Sequence, residues 1–414
     1  MYLTSLNVLS LVIAKKVRLD MFLNSLVNKK RCKYHLWGLL WRLLSFCSCH
    51  KKDSVRIQTA KVDGIEDFSI SNYVVISPDD STLLLQSYPL SMAFTKGQES
   101  RIMVYDEMQH SLDVFRDSSF MYRIRLPRHG NNAIKGKVLS FLPISEDSVW
   151  IYDQVAFYLI NRSGKILCEH KEEDYVLSGS NYAMHTAHMG CQDDGILLYP
   201  TTDGRSVKVK SYDSRKNKIV GEIPLAYPDS NPKGDKKYPY MEFPNVTFAP
   251  DRIIYNFPYE DNIHVINLPT AKEYEYLIQS EYSDGPLKPY GNEKNFSDYM
   301  QYNWGNNHYY EVSYLPGLDM YVRPMLGASD LKRYGKTEYV VDARRLYLTF
   351  MDNRFNTIGE IELVADRYSN FHGWCAVHDG VAVYADNLLG EKHEELVYDV
   401  IRPVMTSSSI TDSH

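Results

Sequence analysis

Catalytic signatures are missing from this 414-residue chain. It has no GxSxG nucleophile elbow and no P-loop, so two common hydrolytic scaffolds are excluded. The Asp-box repeat of sialidase-type propellers (Ser-x-Asp-x-Gly-x-Thr-Trp) is also absent. Cysteine is scarce. Beyond residue 49 only Cys168, Cys191 and Cys375 remain, an odd number without CxxC spacing, so neither a zinc site nor a disulfide framework is expected. Helical periodicity of any length is lacking after residue 50. His185, His188 and Cys191 fall at i, i+3 and i+6, but the segment begins a predicted strand, where alternation sends the two histidines to opposite sides. No metal or cofactor is expected, and His185 is kept only as a candidate channel-lining residue.

What is present begins with the stretch 29–49, KKRCKYHLWGLLWRLLSFCSC. A basic cluster, a short apolar run and a Ser-Cys pair follow one another in the order of a bacterial lipoprotein export signal. Cleavage after Ser48 would leave Cys49 as the acylated N-terminus; bulky Phe46 makes Cys47 the poorer choice. The run Leu36–Phe46 is too short for the ~20 apolar residues of a span. Arg42 interrupts it, and Met21 offers an alternative start. Residues 1–48 are therefore read as a leader and 49–53 as a lipid-tether linker. Removing the leader takes away eight basic residues and one acid, leaving 46 − 8 = 38 against 52 − 1 = 51, a net charge of −13. So acidic a surface repels phosphate backbones, and nucleic acid is not an expected partner.

Tyrosine is abundant at 33 residues, which favours strands. A weak repeat recurs: an apolar stretch, a turn with Asp, then β-formers. Its instances are residues 77–86, 145–153, 192–200, 249–257, 316–324 and 377–385, with turn aspartates Asp80, Asp147, Asp194, Asp251, Asp319 and Asp379. Further strands follow each, so every unit reads as a four-stranded antiparallel meander. Strands such as STLLLQ and GILLYP are apolar at consecutive positions, as burial on both faces requires. The expected fold is all-β: a six-bladed β-propeller over 54–406, followed by a polar tail at 407–414. The last unit lacks an outer strand. Ser54–Thr59 is expected to supply it and close the ring. The aspartates are read as turn formers through Asx hydrogen bonds.

Five long loops are expected on one face: Asp117–Lys135, Ala226–Glu242, Ser280–His308, and the insertions Pro89–Glu99 and Met325–Thr337. Rings interleaved with amides suit a sugar or an extended peptide, which marks Tyr238, Tyr240, Tyr299, Tyr302 and Trp304. Packing of the loops onto the propeller is the competing role for the same rings. Arg123, Arg125, Arg128 and His129 form the one basic cluster, able to receive a carboxylate or phosphate.

The FCSC at 46–49, the Asp-turn repeats and the closing EELVYDVIRPV at 394–404 together resemble six-bladed β-propeller lipoproteins of unknown function from Bacteroidetes. The resemblance implies a propeller in the cell envelope, lipid-anchored to the outer membrane, and brings no catalytic residues. After Cys49 the sequence is His-Lys-Lys-Asp-Ser rather than a run of acids, which points to the periplasmic side. The function expected is non-enzymatic binding or scaffolding of a glycan, peptide or envelope protein. The alternative is a polysaccharide hydrolase or lyase with carboxylates in the central channel.

Overall fold

The computed structural model describes residues 55–406 apart from 77–89, 131–132, 178–187, 193–194, 205, 229–237, 239–240, 286, 291–301, 329–330, 335–337, 342–343, 365–366, 369–372 and 386–394. Strands dominate it and form six blades of antiparallel strands. Blade one runs outward from Ser91–Lys96 through Glu99–Asp106 and Ser111–Arg116 to Ser119–Arg125. Blade two spans Ser140–Ser145 to Ile166–Lys171, blade three Gly190–Gln192 to Lys218–Pro224, and blade four Asn245–Ala249 to Lys272–Leu277. In blade five both His308–Tyr309 and Ser313–Leu315 pair with Met320–Leu326, which leads to Leu346–Met351 and Thr357–Leu363. Blade six contains Trp374–Val377, Gly380–Tyr384 and Glu395–Met405.

Each gap between neighbouring blades holds its own apolar cluster. Leu112, Val114 and Ile124 of blade one meet Phe141, Val149 and Ile151 of blade two, and Val104 and Phe115 meet Cys375 and Val400 of blade six. The other four gaps are filled in the same way. Middle strands are consequently buried on both faces: every residue of Met320–Leu326 and Leu346–Met351 is buried. Each fully buried Leu, Ile or Phe is worth roughly 1.5–3 kcal/mol, so the ring is held by its interfaces rather than by single blades.

A strand from the N-terminal side closes the ring, but Ser54–Thr59 is not that strand. Ile65–Ile76 pairs antiparallel with Glu395–Met405 along its whole length and becomes the outer strand of blade six. Val55–Gln58 instead adds in parallel to the outer strand of blade four. Between them, Thr357 of blade five donates its N–H to the Ala60 carbonyl and accepts from the Val62 N–H. One continuous segment thus straps blades four, five and six. Local pattern could not choose between two exposed β-rich stretches, because pairing to a strand some 330 residues away sets the register.

Two expected loops of blade one are also corrected. Pro89–Glu99 contains the inner strand and its Gly97 turn, and Asp117–Lys135 contains the outer strand. The repeat at 77–86, with Asp80, lies outside the described residues, as does Asp194. Asp147, Asp251, Asp319 and Asp379 do occupy inner turns, yet three of them bond side chains rather than the turn backbone. Asp251 holds Arg252, Asp379 holds Arg402, and Asp319 accepts from Tyr314 and Asn353. Asx turns fall at other hairpins instead, among them the second-to-third-strand loops at Asp106, Asp153 and Asp203 and the outer hairpins. Asn161, Asp213, Asn267 and Asp352 each accept backbone N–H groups from the turn just after them.

Candidate functional site

In a four-stranded meander, second-to-third-strand loops share a face with the connections to the next blade. Here that face carries the long connections 77–90, 126–139, 172–189, 225–244, 278–307, 327–345, 364–373 and 385–394. The insertion at 327–345 folds in part into its own hairpin, Leu331–Tyr334 with Glu338–Val341. The opposite face has turns as short as Gly97-Gln98, Glu146-Asp147, Pro250-Asp251 and His378-Asp379. The long connections that could build an extended site therefore lie on the first face.

There, where blades four and five meet, a cleft of about 300 Å³ opens between Tyr259, Asp284, Lys288, Asn306, Asn307 and Tyr309. Its floor is rigid. Tyr309 donates to Asp261 at 2.5 Å, and the buried Arg323 guanidinium lies 4.1 Å over its ring. Burial raises the Tyr309 phenol well above its usual range, so it remains a protonated donor. Arg323 also donates to the Asp261 and Ile278 carbonyls. Asn307 accepts the Ala328 N–H at 2.8 Å, and Arg344 donates to the Asn306 carbonyl at 2.6 Å. Asn306 also donates its side-chain amide to the Tyr302 carbonyl, so Asn306 Oδ1, Asn307 Nδ2 and the charged tips of Asp284 and Lys288 remain around the buried Tyr259 and Tyr309.

The expected ring residues divide. Tyr238 is buried and stacks on Tyr259 with ring centres 3.8 Å apart, and Tyr302 donates to the Lys288 carbonyl while packing on the blade-three and blade-four core. Neither lines the cleft; both support it from beneath, Tyr238 also donating to the Leu287 carbonyl. Trp304 is half-buried in a helical turn beside Gly305 and Asn306. Tyr240, Tyr299, His185 and Cys49 lie outside the described residues. Tyr259 escapes a reading of the sequence: it sits in the short segment NFPYED at 256–261, and only the topology puts that loop on the long face.

The basic cluster also comes apart. Arg123 is on the outer strand of blade one and forks onto the buried Asp113, at 2.7 Å from both Nε and an NH2 nitrogen. Arg128 donates to the Met108 carbonyl at 2.6 Å. Arg125 and His129 remain exposed beside blade two.

The central cavity, about 240 Å³, is bordered by Met92, Leu142, Met189, Phe248 and Trp374 from different blades. Glu311 is the carboxylate in its described lining. His188 is buried, and burial pushes its imidazole down to about 4. The paired carboxylates that glycoside hydrolysis requires are not assembled there among the described residues. Cys168, Cys191 and Cys375 are not joined in disulfides, and no cluster of three metal-ligating side chains occurs among the described residues.

No protein-family model and no curated protein matches the chain. Solved structures do. A member of the DUF4221 family from Bacteroides vulgatus superposes with a TM-score of 0.65 at 15% identity, over 82% of this chain and 99% of that one. A putative exported protein from Bacteroides fragilis superposes with a TM-score of 0.52 at 12% identity, over 84% and 99%. The fold is shared with Bacteroides propellers of unknown function. At these identities the likeness shows architecture alone.

Proposed function

We propose that this chain is an exported, non-enzymatic propeller that binds a glycan through its long-loop face. The observation that carries this reading is the cleft between Tyr259, Tyr309, Asn306 and Asn307. The amide tips of Asn306 and Asn307, flanked by Asp284 and Lys288 above a buried aromatic base, offer donors and acceptors to the hydroxyl groups of a sugar. The description of the B. fragilis relative as an exported protein supports an envelope location. The 29–49 stretch supports tethering by lipid at Cys49, on the periplasmic side of the outer membrane.

A glycan array probed with the full-length chain tests the binding. Asp284→Ala and Lys288→Ala are expected to lose the signal with an unchanged melting temperature. Signals confined to peptides, or undiminished in both variants, would refute it. Mass spectrometry of membrane fractions tests the tether: a chain beginning at acylated Cys49 is expected, and an intact N-terminus running back to Met21 would sink it.

A further inference from the structure

A second cleft, of about 510 Å³, lies at the outer rim where blade one meets blade two. One wall is the end of the outer strand of blade one with its continuation, Arg125 to Gly130. The other is the outer hairpin turn of blade two, Ser163 to Ile166. Gly164 makes the approach feasible. It adopts φ +78°, and a Cβ there would lie 2.1 Å from the Arg125 carbonyl oxygen, so only glycine lets the two blades touch. The Asn161 side chain holds the same turn, accepting the Ser163 and Lys165 N–H groups at 3.1 and 2.9 Å. Blade two thereby presents Lys165 beside Arg125.

The charge pattern is the informative part. This acidic protein pairs its arginines readily: Arg101 with Glu146, Arg123 with Asp113, Arg252 with Asp251, Arg402 with Asp379. At this cleft no Asp or Glu lines the walls among the described residues. Arg125, His129 and Lys165 are exposed, and their side chains form no ion pair or hydrogen bond among the described residues. Leu126, Pro127 and Ile166 supply an apolar floor beneath them. Uncompensated cations converging over an apolar platform fit an anionic group carried on an organic body. A guanidinium fork with an ammonium suits the several oxygens of a dianion better than one carboxylate.

From this arrangement we infer that the rim cleft between blades one and two is a binding site for a phosphate monoester, with Arg125 and Lys165 holding the dianion and Leu126, Pro127 and Ile166 the organic portion. It lies on different blades from the glycan cleft and stands without it.

Calorimetric titration of the full-length chain with phenyl phosphate tests this, with inorganic phosphate and benzoate as parallel probes. Saturable binding of phenyl phosphate with Kd of about 1 mM or tighter is expected at low salt. Arg125→Gln and Lys165→Gln should each weaken it roughly tenfold, and Arg354→Gln, at another exposed arginine, should not. Weaker binding of inorganic phosphate would confirm the apolar floor. Absence of saturable binding, equal affinity in both cleft variants, or benzoate binding as tightly as phenyl phosphate would overturn the proposal. Both substituted side chains are exposed, so thermal melts of the variants should match the parent.

Discussion

On one face of this ring the chain reverses within a few residues; on the other it travels through connections such as 172–189, 278–307 and 327–345. The short turns are confined by their neighbours. Gly317 sits so close to His378 that a Cβ would fall 2.5 Å from its ring and 2.7 Å from its carbonyl oxygen. The long connections carry rings, amides and charges instead, and where two of them meet they leave a cleft. One face is spent on closing blades. The other is free to bind. Propellers separate these tasks because blade-to-blade packing fixes the ring whatever the connections on one side do.

The contrast is blurred by residues of the long face that act as core, and the largest expected effects come from them. Tyr238→Ala removes a buried ring stacked on Tyr259 and should cost about 3–5 kcal/mol by denaturant unfolding. A loss below about 1 kcal/mol would show that the long loop is not anchored there. His188, next to the inner strand of blade three, is neutral when folded because burial lowers it from 6.5 to about 4. The unfolded chain therefore binds more protons between those values, and stability falls as pH drops through that window. The loss amounts to about 3 kcal/mol by pH 4. His188→Leu should flatten that slope in unfolding curves measured from pH 7 to 4; an unchanged slope would assign the acid sensitivity elsewhere.

On the short-turn face, Gly317→Ala should cost about 1–3 kcal/mol and leave ligand capture intact. Loss of capture without loss of stability would reverse the assignment of the two faces. The smallest effect is expected at the cleft tips. Asp284→Ala and Lys288→Ala should stay within about 0.5 kcal/mol of the parent in stability, since neither supports a blade.

The ring was legible in the sequence for a physical reason. Strands buried on both faces must be apolar at consecutive positions, and the turns between them must carry Gly, Asn or Asp, so the blade repeat shows in local pattern. Closure was half legible. A missing outer strand in the last unit demands a partner from the N-terminal side, but Val55–Gln58 and Ile65–Ile76 both look like edge strands, and only pairing distinguishes them. The site was less legible still. Tyr302 and Tyr259 are alike as residues; one bonds Lys288 from beneath and the other lines the cleft, according to which loops the ring brings together. Arg123 and Arg125 are two positions apart on one strand, yet one is spent on Asp113 and the other, at the strand's end, stands at the rim.

Amide hydrogen exchange of the full-length chain, with and without a polysaccharide fraction from the envelope, tests the division of faces most directly. Binding at the blade-four and blade-five cleft should slow exchange at 256–261, 284–288 and 305–309 and leave the short turns at 97–98, 146–147 and 378–379 unchanged. Protection at those short turns, with none in the three cleft segments, would contradict it.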